Sequence, residues 1–175
     1  MRLIVVFTLV IFLISCASPN WRTASREAAG IAASPYEVND AVIEFYGADA
    51  FSWRGWFAVH TWIAIKTKGD IKFTVYEVTG WRVNRGLPAL REYRTTTPDR
   101  YWYGAKPDKF LFIQGEKAEL LIPKIEAAIS EYPWADVYKV FPGPNSNTFP
   151  AWVGKQVPEL GLEMPFRAIG SGYAD

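Results

Sequence analysis

Two short segments hold the residue types from which an acyl-transfer site is built. Val59-His60-Thr61-Trp62 carries the single histidine of the 175-residue chain. Gly143-Pro144-Asn145-Ser146-Asn147-Thr148-Phe149 sets a hydroxyl between two carboxamides. A serine hydroxyl is a weak nucleophile until an imidazole accepts its proton, and the imidazole needs a third polar group to orient it. If the fold joins the segments, Ser146 is the nucleophile and His60 the base. Glu77 is the candidate orienting group, with Tyr76 behind it; side chains alternate along a strand, so only one of the two can face His60. A helix beginning near Thr148 would aim free N–H groups at a developing oxyanion, and Asn145 or Asn147 would add a donor. Trp62 and Arg54 are candidate substrate-binding residues. Bland readings stand beside these: Asn, Ser and Thr are the preferred helix caps, and His60 has the apolar neighbours Val59 and Ile63, as a core histidine would.

The elements that must position these residues follow from periodicity and turn chemistry. Ala41 to Tyr46 reads as a strand. Trp56 to Lys66 reads as a second, rich in β-branched and aromatic residues. Lys68-Gly69-Asp70 is a turn signal, and Lys72 to Val78 alternates, so the two segments around it form an antiparallel hairpin. Further strands are expected at Trp81–Val83 and Leu90–Arg94, then an aromatic loop at Tyr101-Trp102-Tyr103-Gly104. Glu116 to Glu131 spaces Leu121, Ile122, Ile125, Ala128 and Ile129 as a helix does. Pro123 inside that pattern implies a helix starting near it or an irregular first turn. Tyr138 to Phe141 reads as a short extended piece, and Thr148 to Gln156 as a second helix with Pro150 in its first turn. The fold class is therefore α+β, an antiparallel sheet with helices packed on one face.

The N-terminus speaks to location. Arg2 precedes the apolar run Leu3–Ile14, which has signal-peptide length and is short for a bilayer span. Leu13-Ile14-Ser15-Cys16 resembles the bacterial lipobox, in which cleavage precedes a cysteine that becomes lipidated. That resemblance implies a signal peptide at 1–15, a lipidated Cys16 with a tether at 16–35 (including a short helix at Thr23–Ala32), and one globular domain at 36–175. Ala17 and Ser18 point to the outer membrane, facing the periplasm. Cys16 is the only cysteine, so no internal disulfide can form. The membrane is thus one expected partner; a cell-wall peptide, a lipid or an envelope protein is the expected substrate.

A second resemblance concerns the two chemical segments. His60-Thr61 opening an apolar strand, followed by Asn145-x-Asn147-Thr148-Phe149 opening a helix, resembles the circularly permuted papain-like peptidases of the PPPDE and NlpC types. The likeness implies a permuted papain-like architecture, with His60 as base and Ser146 where the family has its nucleophilic cysteine. A thiol is partly ionised near neutral pH, whereas a hydroxyl depends wholly on its base. The exchange leaves two outcomes, a serine hydrolase or a pseudoenzyme that binds a peptide or glycan in the cleft. From Trp21 to Ile169 the chain also resembles an uncharacterised bacterial lipoprotein family defined only as a domain of unknown function, which implies no activity; a structural envelope protein is a third outcome.

Composition narrows the field. Lys and Arg number 19 against 18 Asp and Glu, and phosphate-backbone binding needs a basic surplus, so no nucleic-acid partner is expected. One histidine and one cysteine supply no zinc cluster, and no glycine-rich phosphate loop follows a strand; no cofactor or metal is expected. Glu44, Glu77 and Glu92 on strands keep a carboxylate pair for glycoside hydrolysis open. Trp53, Trp56, Trp62, Trp81 and Trp102 gather near the sheet and are read mainly as core. Trp102-Tyr103 could instead form an exposed platform. Arg54 and Arg82, each beside a tryptophan, either hold an anion or stack on the rings.

Overall fold

The computed structural model describes residues 20–175. The expected signal segment and Cys16 lie outside the described residues. Five antiparallel strands form one sheet: β1 (Val42–Asp49), β2 (Val59–Lys66), β3 (Phe73–Val78), β4 (Leu90–Thr95) and β5 (Asp108–Gln114). Their order across the sheet is β4-β3-β2-β1-β5. β2 and β3 make the expected hairpin, whose turn is held by the Asp70 carboxylate accepting the Lys72 amide. Three helices accompany the sheet: the single turn α1 (Gly80–Val83), α2 (Glu116–Ser130) and α3 (Thr148–Gln156). The chain is α+β, as its periodicity implies.

Alternation gives the sheet two unlike faces. Ile43, Phe45, Ile63, Ile65, Tyr76 and Val78 point to one side. There they meet Leu121, Ile122 and Ile125 of α2 and Phe149 and Val153 of α3. The opposite side carries Val42, Tyr46, Trp62, Ala64, Phe73 and Val75, and is covered by loops through Ile31, Ala33, Val38 and Trp102. Helices thus pack on one face only.

Several local expectations are corrected. Trp56 to Ala58 is not part of β2: Ser52–Trp56 is a 3-10 helix and the strand begins at Val59. Trp81–Val83 is a helical turn rather than a strand. The Tyr138–Phe141 piece takes no part in the sheet. Thr23–Ala32 contains no helix; Ala28 bridges Arg100, and the amides of Ile31 and Ala32 donate to Asp99. A side-chain acceptor in the next layer thus serves backbone donors that a helix would have satisfied internally. β5 was not expected, because Phe110 to Ile113 is a continuous apolar run without alternation. A register shift opposite Phe45 and Tyr46 accommodates it against β1. α2 passes through Pro123 without ending; the carbonyl left without a donor belongs to Glu119, which faces solvent and water can satisfy it. Among the described residues no helix is long and apolar enough to cross a membrane.

Candidate functional site

The register of the hairpin decides which residue orients His60. Ladder pairs run from Ile65↔Thr74 to Ile63↔Tyr76, so Tyr76 joins Ile63 on the helix face. Glu77 falls on the face of Trp62 and His60. There His60 Nε2 lies 3.2 Å from Glu77 Oε2, with both residues buried. The other carboxylate oxygen accepts Arg91 Nε at 2.7 Å and Arg100 Nη2 at 2.7 Å. Arg91 stands directly across from Glu77 on β4, and Arg100 reaches in from the loop that follows.

Burial alone would raise the Glu77 pKa. The His60 hydrogen bond and the charges of Arg100 and Arg91 outweigh it and hold the carboxyl at about 2. Glu77 is therefore an acceptor at neutral pH, which puts the imidazole proton on Nε2 and leaves Nδ1 with its lone pair. Burial lowers the His60 pKa below the ordinary histidine value; Glu77 opposes this, while Arg100 and Arg91 reinforce it. The ring is neutral at pH 7, as a base must be. Its plane is fixed by the Trp102 indole, stacked at 3.6 Å between centroids and inclined by 6°.

The turn before α3 is built by its two asparagines. Asn145 Oδ1 accepts the amides of Asn147 and Thr148 at 2.9 and 3.3 Å, so Asn145 caps the helix start. Its Nδ2 donates to the carbonyls of Val140 and Ile169. Asn147 Nδ2 donates to the carbonyls of Val59 and Ile169. Each side-chain amide has two donors, and all four are spent. This corrects the assignment of Asn145 and Asn147 to an oxyanion site: both carboxamides are scaffold, the backbone amides of Asn145, Asn147 and Thr148 are engaged too, and the Ser146 amide is the donor left in the turn. Gly170 permits the arrangement, since a Cβ there would stand 2.2 Å from Asn145 Nδ2 and the residue has φ +94°. Thr61, pointing to the face opposite His60, sets its hydroxyl 3.0 Å from both the Ser146 carbonyl and Asn147 Oδ1. The residue after the base thereby locks the turn that carries the candidate nucleophile.

His60 and Ser146 line one cleft of about 1130 Å³. The Ser146 hydroxyl does not cap α3. It lies beside the partly buried Tyr138, whose pKa is raised by burial against the lowering effects of Arg54 and Ser146. Among the described residues, the hydrogen bond made by the His60 ring runs to Glu77, and none joins it to Ser146.

Arg54 lines the cleft beside the Trp53 ring. Trp62 does not: its indole N–H donates to the Pro98 carbonyl at 2.8 Å and its ring stacks on Tyr46, so it is core, and its assignment to substrate binding is corrected. Trp102 is core as well, and hence no exposed platform. Trp53 and Trp56 reverse the expectation of burial, being 59% and 78% exposed. Arg82 is engaged by the Pro88 carbonyl and is not a cleft residue. Glu92 lies on the opposite sheet face from Glu77, and Glu44 is enclosed by Tyr46 and Lys109, so no carboxylate pair faces a common space there. Among the described residues no group of three or more His, Cys, Asp or Glu could hold a metal ion.

The sequence reading missed Arg91, Arg100 and Tyr138 as parts of this site, and it offered Trp102 as an exposed platform, not as the ring stacked on His60. Only Arg91 had a usable signal, the register of the strand that follows Glu77.

A family described as a protein of unknown function (DUF3750) matches residues 40–173. The chain belongs to the DUF3750 family. The span that defines DUF3750 here takes in all five strands, both long helices, and His60, Glu77 and Ser146. No curated protein matches the chain. No solved structure matches it either.

Proposed function

We propose that this protein is an envelope hydrolase of amide or ester bonds, with Ser146 as nucleophile, His60 as base and Glu77 as the group that orients the imidazole. The observation that carries the reading is the Glu77–His60 hydrogen bond, at the wall of a cleft that Ser146 also lines. In the reaction, His60 Nδ1 takes the Ser146 proton as the oxygen attacks the acyl carbon. The tetrahedral oxyanion is held by the backbone N–H of Ser146. His60 then returns the proton to the leaving amine or alcohol, and an acyl-serine remains. Water, deprotonated by the same ring, releases the acid. Glu77 stays ionised throughout and stabilises the imidazolium, which is why its low pKa matters. The order of strand histidine and later helix-start nucleophile supports a permuted papain-like frame. The lipobox-like segment supports anchoring through Cys16 in the outer membrane.

A second reading is favoured by one observation: among the described residues no hydrogen bond joins Ser146 to His60, whose ring bonds Glu77. In that case the cleft binds a peptide or glycan without cleaving it. The two part on treatment with a fluorophosphonate probe. We expect covalent labelling at Ser146, lost in Ser146→Ala and in His60→Ala, and hydrolysis of small acyl esters reduced at least about 10³-fold in both variants. Folded protein that neither labels nor turns over esters is the binding module. Incorporation of labelled fatty acid, abolished by Cys16→Ala, tests the anchor separately.

A further inference from the structure

The cleft that holds Ser146 and His60 has a charge character that the whole chain lacks. The chain is near neutrality, with 19 basic and 18 acidic residues. Yet Arg26, Arg54, Arg85, Arg91 and Arg100 all line the cleft, and no aspartate or glutamate does. Two of the five are answered: Arg91 and Arg100 share the one carboxylate of Glu77, buried behind the wall. Since His60 is neutral there, even this cluster keeps one net positive charge. Among the described residues, Arg26, Arg54 and Arg85 form no ion pair, and residues 1–19 contain no acid to supply one.

How these three are held is informative. Arg54 lies 5.9 Å from the Trp53 ring centroid, Arg85 5.3 Å from Trp81, and Arg26 4.4 Å from Tyr103. Each ring is itself a cleft residue. Stacking uses the face of a guanidinium and leaves its N–H edge, the fork that matches carboxylates and phosphates. The charge of Arg54 is also felt at Tyr138, the partly buried ring beside Ser146. The cleft also presents uncovered rings: Trp53, Phe57 and Phe141 are exposed there. An apolar lining with a few converging cations suits a ligand that is part hydrocarbon and part anion.

We infer that the cleft takes an amphipathic anion: an acyl compound whose carboxylate or phosphate is held by Arg54 and Arg85, and whose apolar part lies on Trp53 and Phe57. Calling it an acyl substrate rests on the hydrolase reading above; its charge and polarity rest on the cleft alone.

Two assays separate those claims. In the first, binding is followed through tryptophan fluorescence with octanoate, hexyl phosphate and the neutral octanamide. Both anions are expected to bind about tenfold or more tightly than octanamide, with the advantage shrinking as salt is raised. Tighter binding of octanoate than hexyl phosphate marks a carboxylate site, and the reverse order a phosphate site. The double substitution Arg54→Gln with Arg85→Gln, at side chains that are not fully buried, should collapse the ratio towards one. In the second, 4-nitrophenyl esters of glutaric and pentanoic acid are compared, and kcat/KM is expected to favour the charged glutaryl ester by a similar factor. Anion-selective binding without turnover of either ester overturns the hydrolase reading and leaves the anion site standing. Octanamide binding as tightly as octanoate and hexyl phosphate, or a ratio unmoved by the double substitution, overturns the anion site whatever the esters do.

Discussion

Glu44 and Glu77 are two buried carboxylates on the same face of the same sheet, and they have been put to different uses. Glu44 is enclosed on all sides. Tyr46 donates to it at 2.5 Å, Lys109 at 2.8 Å, and the Ala33 amide at 2.9 Å. Its cation also bonds the Ile31 carbonyl, which fastens the covering segment to the sheet. Glu77 is held by Arg91 and Arg100 on one oxygen, while the other reaches a histidine at the cleft wall. A carboxylate balanced by one lysine and two neutral donors is a fastener. One kept ionised by the arginines behind it and facing a neutral imidazole can stabilise a proton arriving on that imidazole. The surroundings set the role, since the residue type and the sheet face are the same.

The largest effect expected is therefore a split between two matched substitutions. Glu77→Gln leaves two partly buried guanidinium groups without their shared, fully buried counter-charge and costs about 3–5 kcal/mol of stability. It also removes the group that fixes the imidazole tautomer, so ester hydrolysis per folded molecule should fall about 10³–10⁴-fold. Glu44→Gln should cost a similar amount of stability, through Lys109, yet leave hydrolysis per folded molecule within about twofold. Urea unfolding measures the first quantity and active-site titration with the fluorophosphonate probe normalises the second. Equal losses of activity in the two variants would erase the distinction.

The pH dependence sharpens the same contrast. His60 has its pKa lowered in the fold, so activity should hold at neutral pH and decline on the acid side, with a midpoint below the ordinary value of about 6.5. Glu77 is among the groups that raise that pKa; removing it should move the midpoint to still lower pH even as the rate falls. Glu44→Gln should leave the midpoint where it is. Stability follows with its own sign. Glu77 ionises at about 2 in the fold against 4.5 as a free side chain, so its contribution is complete above about 4.5 and is lost as pH falls towards 2. His60 adds a loss beginning near 6.5, where the unfolded chain gains a proton that the buried ring resists. The acid-unfolding curve of Glu77→Gln should therefore lack its step below about 4.5 and retain the one above it.

What the sequence made legible differs between the two faces of the sheet for a related reason. On the helix face, Ile43 and Phe45, and Ile63 and Ile65, fall at every second residue, and Leu121, Ile122 and Ile125 recur at helical spacing. Local pattern alone implied those elements and their packing. On the other face the residues that matter are partnered across long loops: Glu44 with Lys109 over 65 positions, Glu77 with Arg100 over 23. No periodicity records such a pairing. His60, Ser146 and Glu77 could be singled out by residue type and spacing, yet a core histidine and a helix cap accounted for the first two as well. Asn145 and Asn147 were misread because a carboxamide before a helix serves a cap and an oxyanion equally well until its donors are counted. The exposed Trp53 and Trp56 defeated the expectation of burial because the 3-10 turn that carries them leaves the sheet, and hydrophobicity alone does not say where a strand begins.

The smallest effect expected concerns the link between base and nucleophile through the backbone. Thr61 follows His60, and alternation turns its hydroxyl to the other face, against the Ser146 carbonyl and Asn147 Oδ1. Thr61→Val keeps the β-branched shape and the buried volume but deletes the donor. The two acceptors then lie buried with one partner fewer, at a cost of about 1–3 kcal/mol. The consequence for catalysis is positional: the turn is still held by Asn145 through Val140 and Ile169, so Ser146 should shift slightly rather than let go. A shift of that order costs catalysis up to about 10²-fold when reacting groups must be aligned. The loss should appear mainly in kcat, and fluorophosphonate labelling should slow in proportion, because both depend on how Ser146 meets His60. If Thr61→Val destabilises the fold but labels at the wild-type rate, Thr61 is only a core hydrogen bond. The alignment of the pair would then rest on Asn145 and the turn before α3.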